Sequence, residues 1–587
     1  MSAWVCREAL WDKALVSLED CFGKVRTASS ARRHGCKSHD RNTQFSNLAS
    51  GKSKPIDRIG DVVRKTFGVV SGMQDDFQSI YKQAVECYNA GQWQGAVFWS
   101  ERCLSIESDN ADVLHLRGIT ALALDDAKDA QRWVLKAIER SPNPVFLNTL
   151  SVIQTHLGAF ARAAESARTA LGIATQGHPD IDRSILLYNL GRALQLDLRF
   201  AEAAAIYREV IDLNPGHVEA HNNLGVSLRS LGQLDAAVEQ LHHALAIQPA
   251  NPVAHGNLGH ALLASGRYRD AWPHFEHRWS TFLDERGDSK INPPNLPMPQ
   301  WKGESTRADR DRLLILHEHG LGDTLHFCRY IPMAMERFSQ VGFTGPEPLR
   351  RLLSRAFGST SSKFVYLDAT RVDLRQWDMY SPLLSLPMAF DTDADSIPAA
   401  IPYLHAEPRA AQRWSKRLAG LQNSARPRIG LAWAGGGLLP GVDARRSMPV
   451  DKIDALISWP HALWISLQKP VSDEKRLQRW QRAHIVDWMN EIDDFADTAA
   501  LVASLDLVIC VDTSIAHLAG AMGKRVWLLN RHQGCWRWMR DREDTPWYPN
   551  MRIFNQKTCG DWDEVLARVL AELERDESRF ASVHHQR

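Results

Sequence analysis

A 34-residue period in the middle of the chain limits its possible folds more than any other feature. Leu190-Gly191 recurs as Leu224-Gly225 and again as Leu258-Gly259, each time after 34 residues. Other apolar, alanine and proline positions keep the same step: Phe200, Leu234 and Tyr268; Ala203, Ala237 and Ala271; Pro215 and Pro249. A unit of this length buries its apolar face only by stacking on its neighbours. The period therefore predicts a stack of helix pairs.

The pattern inside each unit is specific. A glycine in the first helix, a packing alanine in the second helix and a closing proline resemble the tetratricopeptide repeat. Less regular units begin near Phe77, Val113 and Phe146, and the segment TQGHPDIDRS interrupts the strict step. We expect about six units over residues 76–282, with a protein or peptide partner in their concave groove. Four asparagines suit the backbone amides of such a partner, or belong to the repeat pattern alone: Asn189, Asn222, Asn223 and Asn257.

Past residue 300 the helical period gives way to alternating strands and helices. The stretch RLLILHEHGLGDTLHF reads as a buried strand, Leu313–His317, followed by a glycine-rich loop and a helix. Further strands are predicted at SQVGF, KFVYL, WDMYSP, RIGLAWAG, ALWISLQK, HIVDW, LDLVICV, RVWLLN and MRIFNQ, and a closing helix at GDWDEVLARVLAELERD. Because the alternation continues on both sides of the proline-rich residues 398–408, we expect two Rossmann-like lobes that face a cleft.

Composition narrows the possible classes of protein. At 587 residues the chain is too long for a single core. Its 70 basic and 69 acidic residues give a net charge of +1, which does not favour binding to nucleic acid. Nine cysteines without a CxxC pair favour a reducing, cytoplasmic location, and no apolar run is long enough to span a membrane. The basic, serine-rich residues 1–75 read as a disordered extension or a mis-assigned start.

Several motifs occur in one order: GLGDTLHFCRYIP, SPLLSLPMAF, RIGLAWAGG, SLQK, LDLVICVDTSIAHLAGAMGKRVWLL and WRWMRDREDTPWYPNMRIFNQ. With the repeats, they resemble the bacterial tetratricopeptide-containing glycosyltransferases, which are related to heptosyltransferase-like and O-linked N-acetylglucosamine transferase-like enzymes. The resemblance spans roughly residues 300–560 and the repeats. It implies an α plus α/β chain, in which a solenoid is followed by a linker (283–310) and a GT-B pair of lobes (311–405 and 406–577).

The same resemblance implies an activity. It is the metal-independent transfer of a sugar from a nucleotide-diphosphate sugar, with no further cofactor, to an acceptor that is expected to be a protein bound by the repeats.

The elbow Asp512-Thr513-Ser514 joins the strand LDLVICV to the helix SIAHLAGAMG. Open α/β sheets bind ligands at the carboxyl ends of their strands, and the first amides of a helix receive phosphate. Thr513, Ser514 and His517, one turn into the helix, are expected to bind the diphosphate. Asp512 is expected to contact ribose or order the loop, because a carboxylate repels phosphate. The alternative interpretation is a helix cap beside a buried histidine.

A second loop, Gly320-Leu-Gly322-Asp323-Thr324, follows the first strand and is expected to face the same cleft. Gly320, Gly322 and Thr324 are expected to contact the nucleotide-sugar there. In related heptosyltransferase-like enzymes the matching aspartate is regarded as the general base, so the resemblance assigns this role to Asp323. His326 lies one turn later and would orient Asp323. Three histidines remain alternative bases: His317, His319 and His326.

Two cations are further candidates for the donor phosphates. Arg446 follows the strand RIGLAWAGG within Arg445-Arg446-Ser447, and Lys469 ends the SLQK segment. An ordinary surface charge is the alternative for each. The tryptophans of WRWM and TPWYP either stack on the base or sugar or pack against the cleft wall: Trp536, Trp538 and Trp547. The acidic run DTDAD at 391–395 reads as a solvated turn in preference to a metal site.

Two loops depart from the family's pattern. Gly436-Gly437 replaces the usual Asn-Pro after WAG, and NRHQGCWRW replaces a proline-containing segment that ends in Asp. Both loops are expected to face the donor, so the departures bear on sugar specificity and on activity. The competing hypothesis is therefore a non-catalytic tetratricopeptide interaction protein with a degenerate nucleotide-sugar-binding domain.

Overall fold

A computed structural model describes residues 76–177, 182–281, 294–359, 361–436, 445–469 and 485–584. The predicted extension 1–75, part of the interruption at TQGHPDIDRS, and Gly437 lie outside these residues. The chain divides into two compact units inside one helix, between Asn223 and Leu224.

The first unit is helical in its described part. Consecutive helices pack as pairs, in agreement with the predicted repeat. The helices are α1 (Phe77–Asn89), α2 (Trp93–Ile106), α3 (Ala111–Ala123), α4 (Ala127–Arg140), α5 (Pro144–His156), α6 (Phe160–Gly177), α7 (Arg183–Leu196) and α8 (Phe200–Leu213).

The repeat glycines follow from how closely the helices of a pair approach. A β-carbon at Gly191 of α7 would come within 2.8 Å of the Tyr207 ring of α8. A β-carbon at Gly118 of α3 would come within 2.4 Å of the Val134 side chain of α4. Such distances exclude any side chain at these positions, so glycine is required for the helices to pack.

The second unit begins within α9 (Val218–Ser230) and contains two further complete repeat helices, α10 (Leu234–Ile247) and α11 (Pro252–Ala264), before the short α12 (Tyr268–Phe275). The same glycine rule holds here, because a β-carbon at Gly225 would come within 2.6 Å of Leu241 Cγ. The described helices thus form six pairs, as the period predicts. A 3-10 turn, Glu276–Thr281, follows α12.

A four-stranded parallel sheet follows, with strand order β3-β2-β1-β4. Register is set between β1 and β2 by pairs such as Leu314 with Gly342. Its elements are β1 (Arg312–Leu316), α13 (Leu321–Phe327), α14 (Ile331–Arg337), β2 (Gln340–Thr344), α15 (Arg350–Leu353), β3 (Phe364–Leu367), β4 (Met379–Pro382) and α16 (Leu386–Ala389).

The second sheet has six parallel strands in the order β10-β9-β8-β5-β6-β7. Its elements are α17 (Pro408–Ala419), β5 (Arg428–Ala432), α18 (Val450–Ile457), β6 (Leu463–Ser466), β7 (Ile485–Val486), α19 (Phe495–Ala503), β8 (Leu507–Val511), α20 (Ser514–Ala521), β9 (Val526–Asn530), β10 (Met551–Asn555) and α21 (Trp562–His584). Each predicted strand segment contains an observed strand. The prediction of a helical solenoid followed by parallel α/β sheets is confirmed.

The last repeat shares its core with both sheets. The Trp272 indole donates to the Thr392 carbonyl after α16 (2.7 Å), and the Trp547 indole donates to the Tyr268 hydroxyl (3.1 Å). Trp536 packs edge-on against Trp272, with ring centroids 6.0 Å apart. These rings are buried, so they contribute apolar area to one continuous core.

A buried ion pair strengthens this junction. The Arg278 guanidinium, in the turn after α12, donates through Nε and Nη2 to both carboxylate oxygens of Glu318, each at 2.9 Å. Both side chains are almost fully buried. The acidic run DTDAD is also engaged here, because Asp391 and Asp393 both pair with Arg269 of α12. The turn therefore binds a side chain of the last repeat in addition to facing solvent.

Among the described helices, none combines the length and the apolar character that a bilayer-spanning segment requires.

Candidate functional site

The elbow after β8 forms because a fully buried strand ends at Val511 and a helix begins at Ser514, with only Asp512 and Thr513 between them. Thr513 is the N-cap residue of α20, with extended backbone angles (φ −138°, ψ 172°), but its side chain makes no capping hydrogen bond. Its hydroxyl oxygen is buried and has no hydrogen-bond partner in the described structure. The first turn of α20 thus presents unsatisfied donors and an unsatisfied hydroxyl at one point.

The loop after β1 is shaped by its own aspartate. Gly320 is the N-cap residue of α13, and its N–H donates to Asp323 Oδ2 at 3.2 Å. His319, just before it, has a positive φ of 63°. Thr324 is buried, and its hydroxyl meets His317 Nδ1 at 2.9 Å. The Thr324 hydroxyl thus holds the loop to the end of β1, and a contact of Thr324 with the nucleotide-sugar stays a prediction.

The two predicted loops meet in space. α13 packs against α20, and Gly322 lies at this contact. A β-carbon at Gly322 would lie 3.0 Å from His517 Cδ2 and 3.5 Å from Ser514 Cα. Asp323 and the elbow therefore border one site, as expected for loops at the carboxyl ends of parallel strands.

Asp323 is held by an arginine from the second sheet's side of this site. Arg537, in the 3-10 turn Trp536–Trp538, donates from Nη2 to Asp323 Oδ1 at 2.5 Å. Burial raises the pKa of the carboxyl, but Arg537, followed by His319 and His517, outweighs burial and lowers the pKa below its ordinary value. Asp323 is consequently ionised and paired.

A tyrosine joins the two predicted histidines. The Tyr548 hydroxyl lies 2.9 Å from His326 Nδ1 and 3.0 Å from His517 Nδ1. The prediction that His326 orients Asp323 is wrong, because its ring points from the buried side of α13 toward Tyr548 and Trp547. Burial first, and Arg537 among the nearby cations, lower the pKa of His517 to about 4. Burial likewise sets the pKa of His326 well below its ordinary value.

This geometry determines which nitrogens carry protons. A hydroxyl has one proton, so Tyr548 donates to one Nδ1 and accepts from the other, and the two neutral rings have opposite tautomers. His326 Nε2 is buried without a partner. Because orphaned buried N–H groups are rare, we assign the Nδ1 proton to His326. His517 then carries its proton on Nε2, beside Gly322.

A buried arginine, Arg329, connects the segment after α13 to the segments around Tyr403 and Trp547. Arg329 is buried and donates to the carbonyls of His326 (2.8 Å) and Trp547 (2.9 Å) and to the Tyr403 hydroxyl (3.1 Å). Its guanidinium lies 4.7 Å from the Tyr548 ring centroid. The ring that orients both histidines is thereby fixed in place.

Cations flank the elbow on both sides of β8. Arg445 and Arg446 lie in the segment after β5, where the Gly435 N–H donates to Ser447 Oγ at 3.0 Å, and Arg531 follows β9. Burial, then Arg531, lower the pKa of Arg445, which shows that the two guanidinium groups lie close together. The Nε atoms of Arg445 and Arg531 are buried without hydrogen bonds in the described structure. Paired cations of this kind suit an oxyanion.

The remaining predicted residues have structural roles. Lys469 donates its ammonium to the Ile492 carbonyl, which connects it to the loop before α19, and its binding to the donor phosphates stays a prediction. The three predicted tryptophans pack in the core, which decides against stacking on a ligand: Trp536, Trp538 and Trp547. In the described residues no group of three or more His, Cys, Asp or Glu side chains could hold a metal ion.

Sequence reasoning missed Arg537, Tyr548 and Arg531. The first two lie inside the motifs WRW and TPWYP, in which the tryptophans are the more conspicuous residues. Arg537 could have been recognised from its two tryptophan neighbours. An arginine between two large apolar rings is expected to be buried, and a buried cation requires an acidic partner. Arg531 follows a buried strand directly, at the sheet edge where ligands bind.

Comparison with known families identifies the repeats. The tetratricopeptide repeat family model matches residues 188–252. This stretch consists of tetratricopeptide repeats. Protein FlbA of Caulobacter vibrioides (strain ATCC 19089 / CIP 103742 / CB 15) is 27% identical over 450 residues, which cover 73% of this chain and 72% of that protein.

Solved structures with a similar fold include YrrB, described as a tetratricopeptide repeat protein with an unusual peptide-binding site, at 18% identity and a TM-score of 0.27. The similarity covers 33% of this chain and 95% of YrrB. PilF of Pseudomonas aeruginosa is 17% identical, with a TM-score of 0.30 over 34% of this chain and 88% of PilF.

Proposed function

We propose that this protein is a glycosyltransferase of the GT-B fold that transfers a sugar from a nucleotide-diphosphate sugar to a protein acceptor bound by its tetratricopeptide repeats. In this proposal the sheets β1–β4 and β5–β10 form the two lobes. The diphosphate binds at the elbow after β8, and the acceptor approaches the loop after β1.

One observation carries the proposal. The buried Thr513 hydroxyl has no partner at the uncapped start of α20, and this start lies against the loop that holds Asp323. A buried hydroxyl without a hydrogen bond is unfavourable, so it is best explained by a ligand. Phosphate is the ligand that free helix amides favour.

The proposed reaction transfers the sugar from a phosphate oxygen of the donor to an oxygen of the acceptor. An acceptor hydroxyl attacks the anomeric carbon, and its proton passes to the Asp323 carboxylate. The bond between the anomeric carbon and the phosphate oxygen breaks, and its electron pair stays on the nucleoside diphosphate. Thr513, the α20 amides and the His517 Nε2–H stabilise the charge that develops there. Arg445 and Arg531 lie on either side of the elbow and add positive charge.

Polar side chains of the repeats support a peptide partner. Asn189 of α7 donates to the Asn148 side chain of α5 at 2.9 Å, so amides of successive repeats align. Solenoids of this kind present an extended inner surface that binds partners. An acceptor protein is therefore favoured over a small molecule.

A non-catalytic interaction protein with a degenerate nucleotide-sugar-binding domain is the second candidate. The observation in its favour is the Asp323–Arg537 pair, because a carboxylate bound to a guanidinium is a poor base. This candidate expects nucleotide binding without turnover.

The experiment uses the full chain and a panel of UDP-, GDP-, ADP- and dTDP-sugars. Donor binding is measured by calorimetry, and release of the nucleoside diphosphate measures turnover. Mass spectrometry of co-expressed proteins then detects a sugar increment. His461→Ala, an exposed histidine of the same half, is the control for His517→Ala, and both are compared with Asp323→Asn.

We expect binding and turnover in the wild type and in His461→Ala, and a loss of turnover of roughly 100-fold or more in Asp323→Asn and His517→Ala. Binding with no turnover on any acceptor would support the interaction protein. Absence of binding to every donor would refute the proposed site.

A further inference from the structure

Arg537 has two parallel N–H donors along one edge of its guanidinium, on Nε and Nη2, and only the Nη2 donor forms a hydrogen bond in the described structure. In a guanidinium, Nε–H and Nη2–H point the same way and fit two oxygens of one oxyanion. Arg278 uses this edge fully, since both donors reach Glu318 at 2.9 Å. In Arg537 only Nη2 is used, by Asp323, while its Nε is buried and has no hydrogen-bond partner in the described structure. The site thus holds a cation with one donor unsatisfied.

We propose that Arg537 is a catalytic residue that exchanges Asp323 for the donor's diphosphate, so that donor binding releases the carboxylate to act as the base. This inference rests on the proposed function and adds to it a second role for donor binding. Two phosphate oxygens would satisfy both Nε–H and Nη2–H of Arg537, which Asp323 does not do.

The position of Arg537 favours this exchange. Its guanidinium lies 4.6 Å from the Trp536 ring centroid and 5.2 Å from that of Phe327, so its location is fixed by apolar packing. Nη1 donates to Cys535 Sγ at 3.1 Å. The next residue, Trp538, stacks on His517 with ring centroids 5.1 Å apart, which places Arg537 beside the elbow. Burial, and then the positive charge of Arg537, lower the pKa of His517. A diphosphate bound at the elbow would therefore be attracted by the positive charge of Arg537.

The present pairing of Asp323 explains why an exchange is needed. One carboxylate oxygen accepts from Arg537 and the other from the Gly320 N–H. With both oxygens engaged and the pKa held low, the carboxylate takes up a proton poorly. Loss of Arg537 to phosphate removes the dominant attractive charge, and the negative phosphate raises the pKa of Asp323. The base then becomes effective only when a donor is present.

The test measures binding and proton uptake with the full chain, using pyrophosphate and UDP, GDP, ADP and dTDP as probes. Calorimetry at pH 5.5 in buffers of different ionisation enthalpy gives the protons bound per probe. The variants are Asp323→Asn, Arg537→Gln and Arg537→Lys. Asp378→Asn is the matched control, because Asp378 forms an arginine pair with Arg312 at the start of β1.

We expect the wild type and Asp378→Asn to take up part of a proton more than Asp323→Asn does. The phosphate of each probe also exchanges protons on binding at this pH, and Asp323→Asn measures that contribution alone. Because Asp323 competes with the phosphate, Asp323→Asn should bind the probes tighter, by roughly 5- to 100-fold. Arg537→Gln should bind roughly tenfold more weakly or worse, and Arg537→Lys should also weaken binding, since a lysine has no forked edge.

The outcomes separate the two proposals. If the wild type binds no probe, the proposed donor site is wrong. If the wild type binds with the same proton count as Asp323→Asn, and Asp323→Asn binds with unchanged or lower affinity, the donor site stands and the exchange is overturned. The Asp323–Arg537 pair would then be a permanent ion pair that joins the loop after β1 to the segment after β9. Should Arg537→Gln not fold, Asp323→Asn and Arg537→Lys still decide the matter.

Discussion

Gly322 lies directly against the ring of His517, so the helix starts α13 and α20 touch at a position that has no room for a side chain. A β-carbon there would come within 3.0 Å of His517 Cδ2 and 3.5 Å of Ser514 Cα. Both neighbours belong to a helix whose place is fixed by a buried strand, so neither moves easily. The separation between Asp323 and the elbow is thus set by one glycine.

Gly322→Ala should therefore separate the two loops by a few tenths of an ångström. We expect turnover to fall by roughly 10- to 100-fold, because displacement of reacting groups by up to about 1 Å has effects of this size. Nucleotide affinity, which depends on α20, should change less. Gly172→Ala in α6 is the control, since no atom lies within 4 Å of its β-carbon position. Equal turnover in both variants would contradict the tight contact.

Thr513→Val should weaken ligand binding without lowering the stability of the unliganded protein. The variant keeps the side chain's shape and removes a buried hydroxyl that has no partner, so the unliganded protein should be as stable as the wild type or more stable. Affinity for a nucleoside diphosphate should fall roughly tenfold, as for one lost hydrogen bond to a charged group. Thermal unfolding with and without ligand measures both effects.

The control for that variant is Thr498→Val in α19, a buried threonine whose hydroxyl donates to the Asp494 carbonyl at 3.0 Å. It should lower stability and leave affinity unchanged. If Thr513→Val lowered stability and left affinity unchanged, while Thr498→Val lowered affinity, a ligand role for Thr513 would be contradicted.

Tyr548→Phe should act through the two histidines that its hydroxyl joins. Removal of the hydroxyl leaves His326 Nδ1 and His517 Nδ1 without a partner, which costs roughly 1–3 kcal/mol. Because the tautomer of His517 is no longer fixed, kcat should fall more than donor affinity. A pH profile of kcat that shifts relative to wild type checks this role, which is one of positioning. An unchanged kcat with lowered stability would limit Tyr548 to a structural role.

Acidification should destabilise the protein below about pH 6.5. Burial lowers the pKa of His517 to about 4 and, for His260, to about 3. As pH falls below the ordinary histidine pKa, the unfolded chain binds protons that the folded chain does not. Stability is therefore lost between that pKa and the folded values, by at most about 1.4 kcal/mol per pH unit for each histidine. Asp323 adds a further loss only below the ordinary pKa of a carboxyl, since its folded pKa is lowered.

The test is the change in Tm between pH 7.5 and pH 5.0. His260→Leu should show a smaller change than the wild type, because leucine binds no proton. His243→Leu, at an exposed position in α10, should show the same change as the wild type. A wild-type slope in His260→Leu would refute the assignment.

Arg278→Ala should destabilise the junction between the last repeat and the first sheet. It leaves Glu318 as a buried carboxylate without its guanidinium, at a cost of roughly 3–5 kcal/mol. Hydrogen exchange should increase in α12 and at the end of β1. Arg312→Ala breaks a half-exposed pair with Asp378 and should cost about 0–1 kcal/mol. The double variant Arg278→Met with Glu318→Leu should recover part of the loss.

The architecture could be predicted because its signals are periodic. Repeat glycines reflect helix pairs that touch, and the apolar runs of the strands reflect sheets buried on both faces. At the site, Thr513 and Asp323 come together because each follows the carboxyl end of a parallel strand, which topology alone dictates.

The partners of those residues could not be predicted in the same way. Arg537 and Tyr548 lie in irregular segments whose path is set by ring packing between distant parts of the chain, because the neighbouring Trp536 and Trp547 pack on rings of α12. The role given to His326 failed because spacing along α13 says which residues share a helix turn, but not which of them faces the core. The contact of Lys469 with the Ile492 carbonyl could not be predicted for a related reason, since the two residues are 23 positions apart in the chain.

The hydrogen bonds of Tyr268 and Trp272 limit how this chain can be divided. A fragment that starts after α12 would expose Trp536 and Trp547 to water and leave an indole donor and a carbonyl unsatisfied. A longer or exchanged repeat array has to be joined ahead of Tyr268. In any such chimera, α12 stays with the sheets as part of their hydrophobic core.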